Sequence, residues 1–207
     1  VLRAPAATIE GALKALVDIL GTEEAGEAIR RNPGVLRAPA ATIEGALKAL
    51  VDVLGTQGAA EAIRRNPAVL RARAATIEGA SQALAEHLGQ AGMLQAVDTN
   101  PDLLRKPADK MHITMAAVKG LLGDSRGAAL LKQKPRLLRA SGPYIEANFE
   151  ILCDAFDRDI VSKAVCARPM LLYDRTAAKG AVKTGDLVFG ELREIVHGKL
   201  EVASEVK

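Results

Sequence analysis

Aromatic side chains are nearly missing from this chain. Two Tyr, three Phe and no Trp make up 2% of 207 residues, while 49% of the residues are hydrophobic. The interior must therefore be built from Ala, Leu, Val and Ile, and small contact residues let helices approach closely. The stacking platforms that grip unpaired bases are nearly absent as well. No apolar run reaches the ~18 residues that a membrane span needs, so no transmembrane segment is expected. Cysteine is limited to Cys153 and Cys166, which read as two reduced thiols of a reducing compartment. Histidine is limited to His87, His112 and His197. They lie far apart in sequence and lack metal-ligand spacing. No Ser–His–Asp or Cys–His signature and no Gly-rich phosphate loop stands out, so neither enzymatic activity nor a metal or cofactor is expected. Charge of one sign is also lacking: 28 basic and 25 acidic residues leave +3, too mild by itself to demand a polyanionic partner.

What is present is a 34-residue unit. Val1–Gly34 and Val35–Ala68 are nearly identical, and Val69–Asp102, Leu103–Arg136 and Leu137–Met170 keep the frame with more divergence. Self-similarity at this period predicts an all-α superhelical solenoid of helix–turn–helix repeats. Five tandem repeats cover 1–172, and 173–207 form a divergent sixth repeat or helical cap. Val182, Leu187, Val188, Leu192, Ile195 and Val196 mark the helices of that cap, with a partner-docking helix as the other reading. The chain begins inside the repeat frame, at the Val-Leu-Arg that should follow an Asn-Pro. This reads as a processed or truncated product whose targeting segment is missing.

Within the first unit, Ile9, Leu13, Leu16, Val17 and Leu20 follow helical spacing and predict one apolar stripe. Gly21 is the expected helix terminator. Thr22 is the expected cap of a second helix, with Glu23, Glu24 and Glu27 near its positive end. Ala25, Ala28 and Ile29 form its inner face, and Pro33 stops it. The remaining Pro-Gly-Val-Leu-Arg-Ala predicts a 3₁₀ turn with Val35 and Leu36 tucked inward.

The recurring runs are Asn32-Pro33-Gly34-Val35-Leu36, Asn66-Pro67-Ala68-Val69-Leu70, Asn100-Pro101-Asp102-Leu103-Leu104, Pro135-Arg136-Leu137-Leu138 and Pro169-Met170-Leu171-Leu172. Together with the Leu-Gly turns between helices, they resemble the repeat of the mitochondrial transcription termination factor family over about Val1 to Asp174. The resemblance implies two helices and a 3₁₀ turn per repeat, wound into a curved superhelix. It also implies a mitochondrial matrix or plastid stroma address and binding of DNA or RNA along a basic face. Some members of such families are structural parts of organellar assemblies.

Two features could carry that function. The third position of the unit is Arg3, Arg37, Arg71, Arg105 and Arg139, a ladder that could track a phosphate backbone. Its structural alternative is a clip to the acids at the tenth position, Glu10, Glu44, Glu78 and Glu146. The second feature is the fourth unit. Arg105, Lys106, Lys110, Lys119, Arg126, Lys132, Lys134 and Arg136 face only Asp109 and Asp124, a net +6, so the rest of the chain carries −3. One strongly basic repeat is a signal for a polyanion contact, with a solvated Lys-rich face as the alternative. Arg30, Arg31, Arg64 and Arg65 sit in last helical turns, where cations suit the dipole, and read as structural. The expected function is backbone binding of RNA or DNA without catalysis. The alternative is an accessory subunit of a large organellar complex, a ribosome or a photosynthetic assembly, held among its other subunits.

Overall fold

The computed structural model describes residues 4–185 and Leu187, and the described residues are helical with no strand. Arg3 and the cap expected from Val188 to Val196 lie outside the described residues. The chain divides into two compact units. The first comprises Val1–Ile113 with Leu131–Arg139, and the second Thr114–Leu130 with Ala140–Lys207.

The first unit opens with α1 (Ala6–Leu20), α2 (Thr22–Arg31) and the 3₁₀ turn η1 (Pro33–Arg37). The pattern recurs in α3 (Ala40–Arg65), η2 (Pro67–Arg71), α4 (Ala74–Thr99) and η3 (Pro101–Arg105). It continues through α5 (Ala108–Leu122), α6 (Asp124–Gln133) and η4 (Pro135–Arg139). The long α3 and α4 are helix pairs, each bent at a glycine: Gly55 has φ 73° and ψ 169°, and Gly89 has φ 75° and ψ 164°. Such backbone is essentially reserved for glycine, which explains the Leu-Gly recurrence. It also corrects the expected cap. Gly21, at φ 82° and ψ 168°, already occupies the N-cap position of α2, so Thr22 is the first helical residue and makes no side-chain cap.

The Asn-Pro pair has a direct physical role. The side chains of Asn32 and Asn66 accept from the backbone N–H of Gly34 and Ala68, each at 3.1 Å. Proline follows at the first position of the turn, where a missing N–H costs nothing. The Val-Leu pair then points inward: Val35, Val69, Leu70, Leu103 and Leu104 are buried. Leu16, Leu50 and Leu84, at the same position of three successive repeats, are 0% exposed. Each contributes about 1.5–3 kcal/mol by leaving water. Leu13 departs from the expected stripe and is 43% exposed.

Consecutive first helices meet through glycine. A β-carbon on Gly11, Gly45 or Gly79 would lie 3.7, 3.9 or 3.5 Å from the β-carbon of Ala40, Ala74 or Ala108 in the next repeat.

In the second unit, α7 (Gly142–Cys153) packs against α8 (Arg158–Ala167), α9 (Met170–Tyr173) and α10 (Arg175–Thr184). Where the Leu-Gly turn becomes Phe156-Asp157, Asp157 caps α8 by accepting from the N–H of Asp159 at 2.8 Å. The buried Asn148 donates to the Leu172 carbonyl at 3.0 Å and accepts from Nε of Arg175 at 3.3 Å. No described helix is long and apolar enough to cross a membrane.

Candidate nucleic-acid interface

The 3₁₀ turns place the third-position arginines at their C-terminal ends, one residue beyond the buried Val-Leu pair. Arg37 and Arg71 are exposed. The structural clip to the tenth position is not formed: among the described residues, no ion pair joins Arg37 to Glu44 or Arg71 to Glu78. The guanidinium of Arg71 instead turns back toward the preceding 3₁₀ turn, where a β-carbon on Gly34 would lie 3.4 Å from its Nη1.

Two repeats later, the residue equivalent to Gly34 is Asp102. Its carboxylate accepts from Nη1 of Arg105 at 2.7 Å and lies 3.5 Å from Nη2 of Arg139. It also accepts from Nδ2 of Asn66 at 3.3 Å. The ladder is thus of two kinds. Arg37 and Arg71 face solvent with no carboxylate on them among the described residues, while Arg105 and Arg139 share one acid. Asn100, the cap residue of this turn, makes no side-chain cap bond, and its Nδ2 is buried without a partner in the protein.

The basic fourth repeat separates in the same way. Lys106 departs from the expectation of an exposed cation. It is half-buried, its ammonium donates to the Leu138 carbonyl, and burial lowers its pKa to about 8. Lys110 is exposed and lies 3.7 Å from the Asp109 carboxylate. Lys132, Lys134 and Arg136 are all exposed at the junction of α6 and η4. They set three cations within five residues beside the negative end of a helix. In the second unit, Arg126 is exposed and Lys119 half-buried against Gly127. Cys153 and Cys166 are both free, and burial raises each thiol above its usual pKa, with Arg158 and Arg126 respectively acting against it.

Two of the arginines in last helical turns, Arg31 and Arg65, act between repeats. Nη1 of Arg31 donates to the Arg64 carbonyl at 2.7 Å, and its Nη2 meets Glu27 at 2.6 Å. Arg65 repeats this one unit on, donating to the Asp98 carbonyl and meeting its carboxylate at 2.8 Å. Beside each arginine runs a groove between successive second helices. One of about 390 Å³ is floored by Ile19, Leu20, Ala28 and Ile63, and one of about 160 Å³ by Leu54, Ala62, Leu94 and Val97.

Sequence reasoning missed the Asp102 cluster and one further constellation. His87 and His112, read as far apart, are neighbours, with Nε2 of His87 3.2 Å from Nδ1 of His112. The signal was available in the frame, since they occupy the nineteenth position of one repeat and the tenth of the next. Among the described residues no group of three or more His, Cys, Asp or Glu side chains is placed to hold a metal ion. Comparison of the chain with protein-family models and with curated proteins finds no match to either.

Proposed function

We propose that this chain is a helical-repeat solenoid, of the kind its Asn-Pro-x-Val-Leu runs resemble, that holds an RNA or DNA phosphate backbone in an organelle. The observation that carries this reading is the state of Arg37 and Arg71. They stand on equivalent, exposed turn ends, and the acids that would have made them structural clips do not reach them. Lys132, Lys134 and Arg136 extend the same chemistry. Phosphate contacts of this type give affinity without base readout, in keeping with the scarcity of stacking side chains. Lys106 belongs to the packing in this reading, and Arg105 and Arg139 are held in reserve by Asp102.

The test is affinity for single- and double-stranded oligonucleotides across a salt series. The variants are Arg37→Glu with Arg71→Glu, and Lys132→Glu with Lys134→Glu and Arg136→Glu. Each phosphate contact removed should reduce the slope of log affinity against log salt by about 0.7–0.9. Absence of binding at low salt, or binding indifferent to both variants, sinks the reading. A second reading rests on the apolar-floored grooves beside Arg31 and Arg65 and on Leu94, 41% exposed in one of them. There the chain is an accessory subunit, and the grooves receive protein segments from other subunits of an organellar complex.

A further inference from the structure

We infer that His87 and His112 form a binding site for a borderline divalent transition-metal ion, Zn²⁺ or Cu²⁺, bridging the third and fourth repeats. Two observations carry the inference independently. The first is geometric. Nε2 of His87 and Nδ1 of His112 face each other at 3.2 Å. Imidazole nitrogens bind zinc at about 2.0–2.1 Å, which puts two nitrogens on one ion about 2.9 Å apart at a right angle and about 3.4 Å apart at a tetrahedral angle. The observed separation lies between these values. The ring centroids are 5.3 Å apart and the planes tilted by 59°, and each lone pair must swing by roughly 40° off the line between the nitrogens to meet on a common ion at those bond lengths. His112 is 45% exposed and Glu86 50%, so water can fill the remaining coordination positions.

A carboxylate also stands beyond the outer nitrogen of His112, too far for a hydrogen bond in this geometry. Nε2 of His112 lies 4.0 Å from Oε2 of Glu86, whose Oε1 accepts from Nε2 of Gln82 at 3.0 Å. A closer approach of that carboxylate to Nε2 would favour the tautomer that presents Nδ1 to the metal. With the proton of His112 on Nε2, its Nδ1 lone pair points at His87. A neutral His87 then carries its single proton on Nε2, toward His112, and metal binding moves that proton to Nδ1, so the ring changes tautomer and no net proton is released.

The second observation comes from the repeat frame. The nineteenth position is Ile19, Val53, His87, Leu121 and Ala155, and the tenth is Glu10, Glu44, Glu78, His112 and Glu146. The chain has only three histidines. Two of them replace an apolar residue and an acid at the two positions that face each other across one junction. Two neutral imidazoles suit zinc and copper and give no hold on magnesium or calcium, which prefer oxygen.

The experiment is titration of the full chain with zinc chloride by calorimetry, followed by nitrogen NMR of the imidazole rings. Wild type is expected to take up one Zn²⁺ per chain saturably, with shifts confined to His87 Nε2 and His112 Nδ1, and magnesium chloride to give no signal. His87→Leu, which restores an apolar residue, and His112→Ala are each expected to lose more than about tenfold in affinity, since even outer partners of a metal ligand are worth that much. Circular dichroism checks that both variants stay folded. No uptake by wild type at millimolar zinc overturns the inference. So does uptake that survives a double variant carrying both His87→Leu and His112→Ala, which would assign the ion to His197 or the two thiols. Loss in only one of the two single variants overturns it as well, because both nitrogens are required.

Discussion

Two glycines ten residues apart in α3 should respond to alanine with opposite signs. Gly45 has helical backbone, and a β-carbon there meets only the Ala74 β-carbon at 3.9 Å, an ordinary van der Waals contact. Gly45→Ala therefore removes the entropic cost of glycine within a helix, a gain of about 0.5–1 kcal/mol. Gly55 has nothing within 4 Å of an added β-carbon, but its φ is 73° and its ψ 169°. Gly55→Ala meets no neighbour and pays only for the backbone, about 1–3 kcal/mol. For a chain of this length 1 kcal/mol moves the melting temperature by roughly 2–4 °C. Urea midpoints and thermal scans of the two variants should move apart, Gly45→Ala upward and Gly55→Ala downward. A Gly55→Ala variant as stable as wild type would refute the assigned bend. Destabilisation by Gly45→Ala would refute the spacing of the helices around it.

Three further outcomes are expected. Leu50→Ala, at a 0% exposed position, should cost about 2–5 kcal/mol. Leu13→Ala, at a 43% exposed one, should stay within about 0.5 kcal/mol; urea unfolding of both checks the contrast. Asp102→Ala releases Arg105 and Arg139 from their shared carboxylate. It should change stability little, since half-exposed pairs contribute modestly, and should tighten binding to an oligonucleotide, measured at fixed salt. Lys106 has a folded pKa of about 8 against 10.5. The folded state therefore holds fewer protons between those values, and this group's penalty on stability, full below pH 8, is relieved as pH rises toward 10.5. Wild type should gain on Lys106→Met over that window in urea titrations at pH 7.5 and 10.

The repeat frame made most of the helix boundaries legible. Proline and glycine report on backbone geometry, which is local, and the 3₁₀ turns at Pro33, Pro67, Pro101 and Pro135 begin where the Asn-Pro and related pairs put them. The cap at Thr22 was misread because glycine with extended ψ itself takes the N-cap place. Leu13 was misread for another reason. Burial of a repeat position depends on the unit packed beside it, and periodicity within one helix does not encode that neighbour. The same limit hid the Asp102 cluster and the His87–His112 pair, whose members lie in different units. They become readable only when the units are overlaid in frame and the departures from the common pattern are compared.

The glycine-to-alanine seams also bear on how such a chain can grow. Gly11, Gly45 and Gly79 each receive the alanine of the following unit, and Arg31 and Arg65 each reach a backbone carbonyl one unit on. The second and third units thus each carry both halves of the glycine–alanine joint, the donor edge and the acceptor edge. A copied stretch of 34 residues arrives with its mating surfaces already matched to those on either side, so lengthening the chain by duplication requires no compensating change. An insertion of another length would offset glycine from alanine and be rejected by the packing. The near-identity of the first two units, which extends to exposed positions that packing does not constrain, is the record such copying would leave.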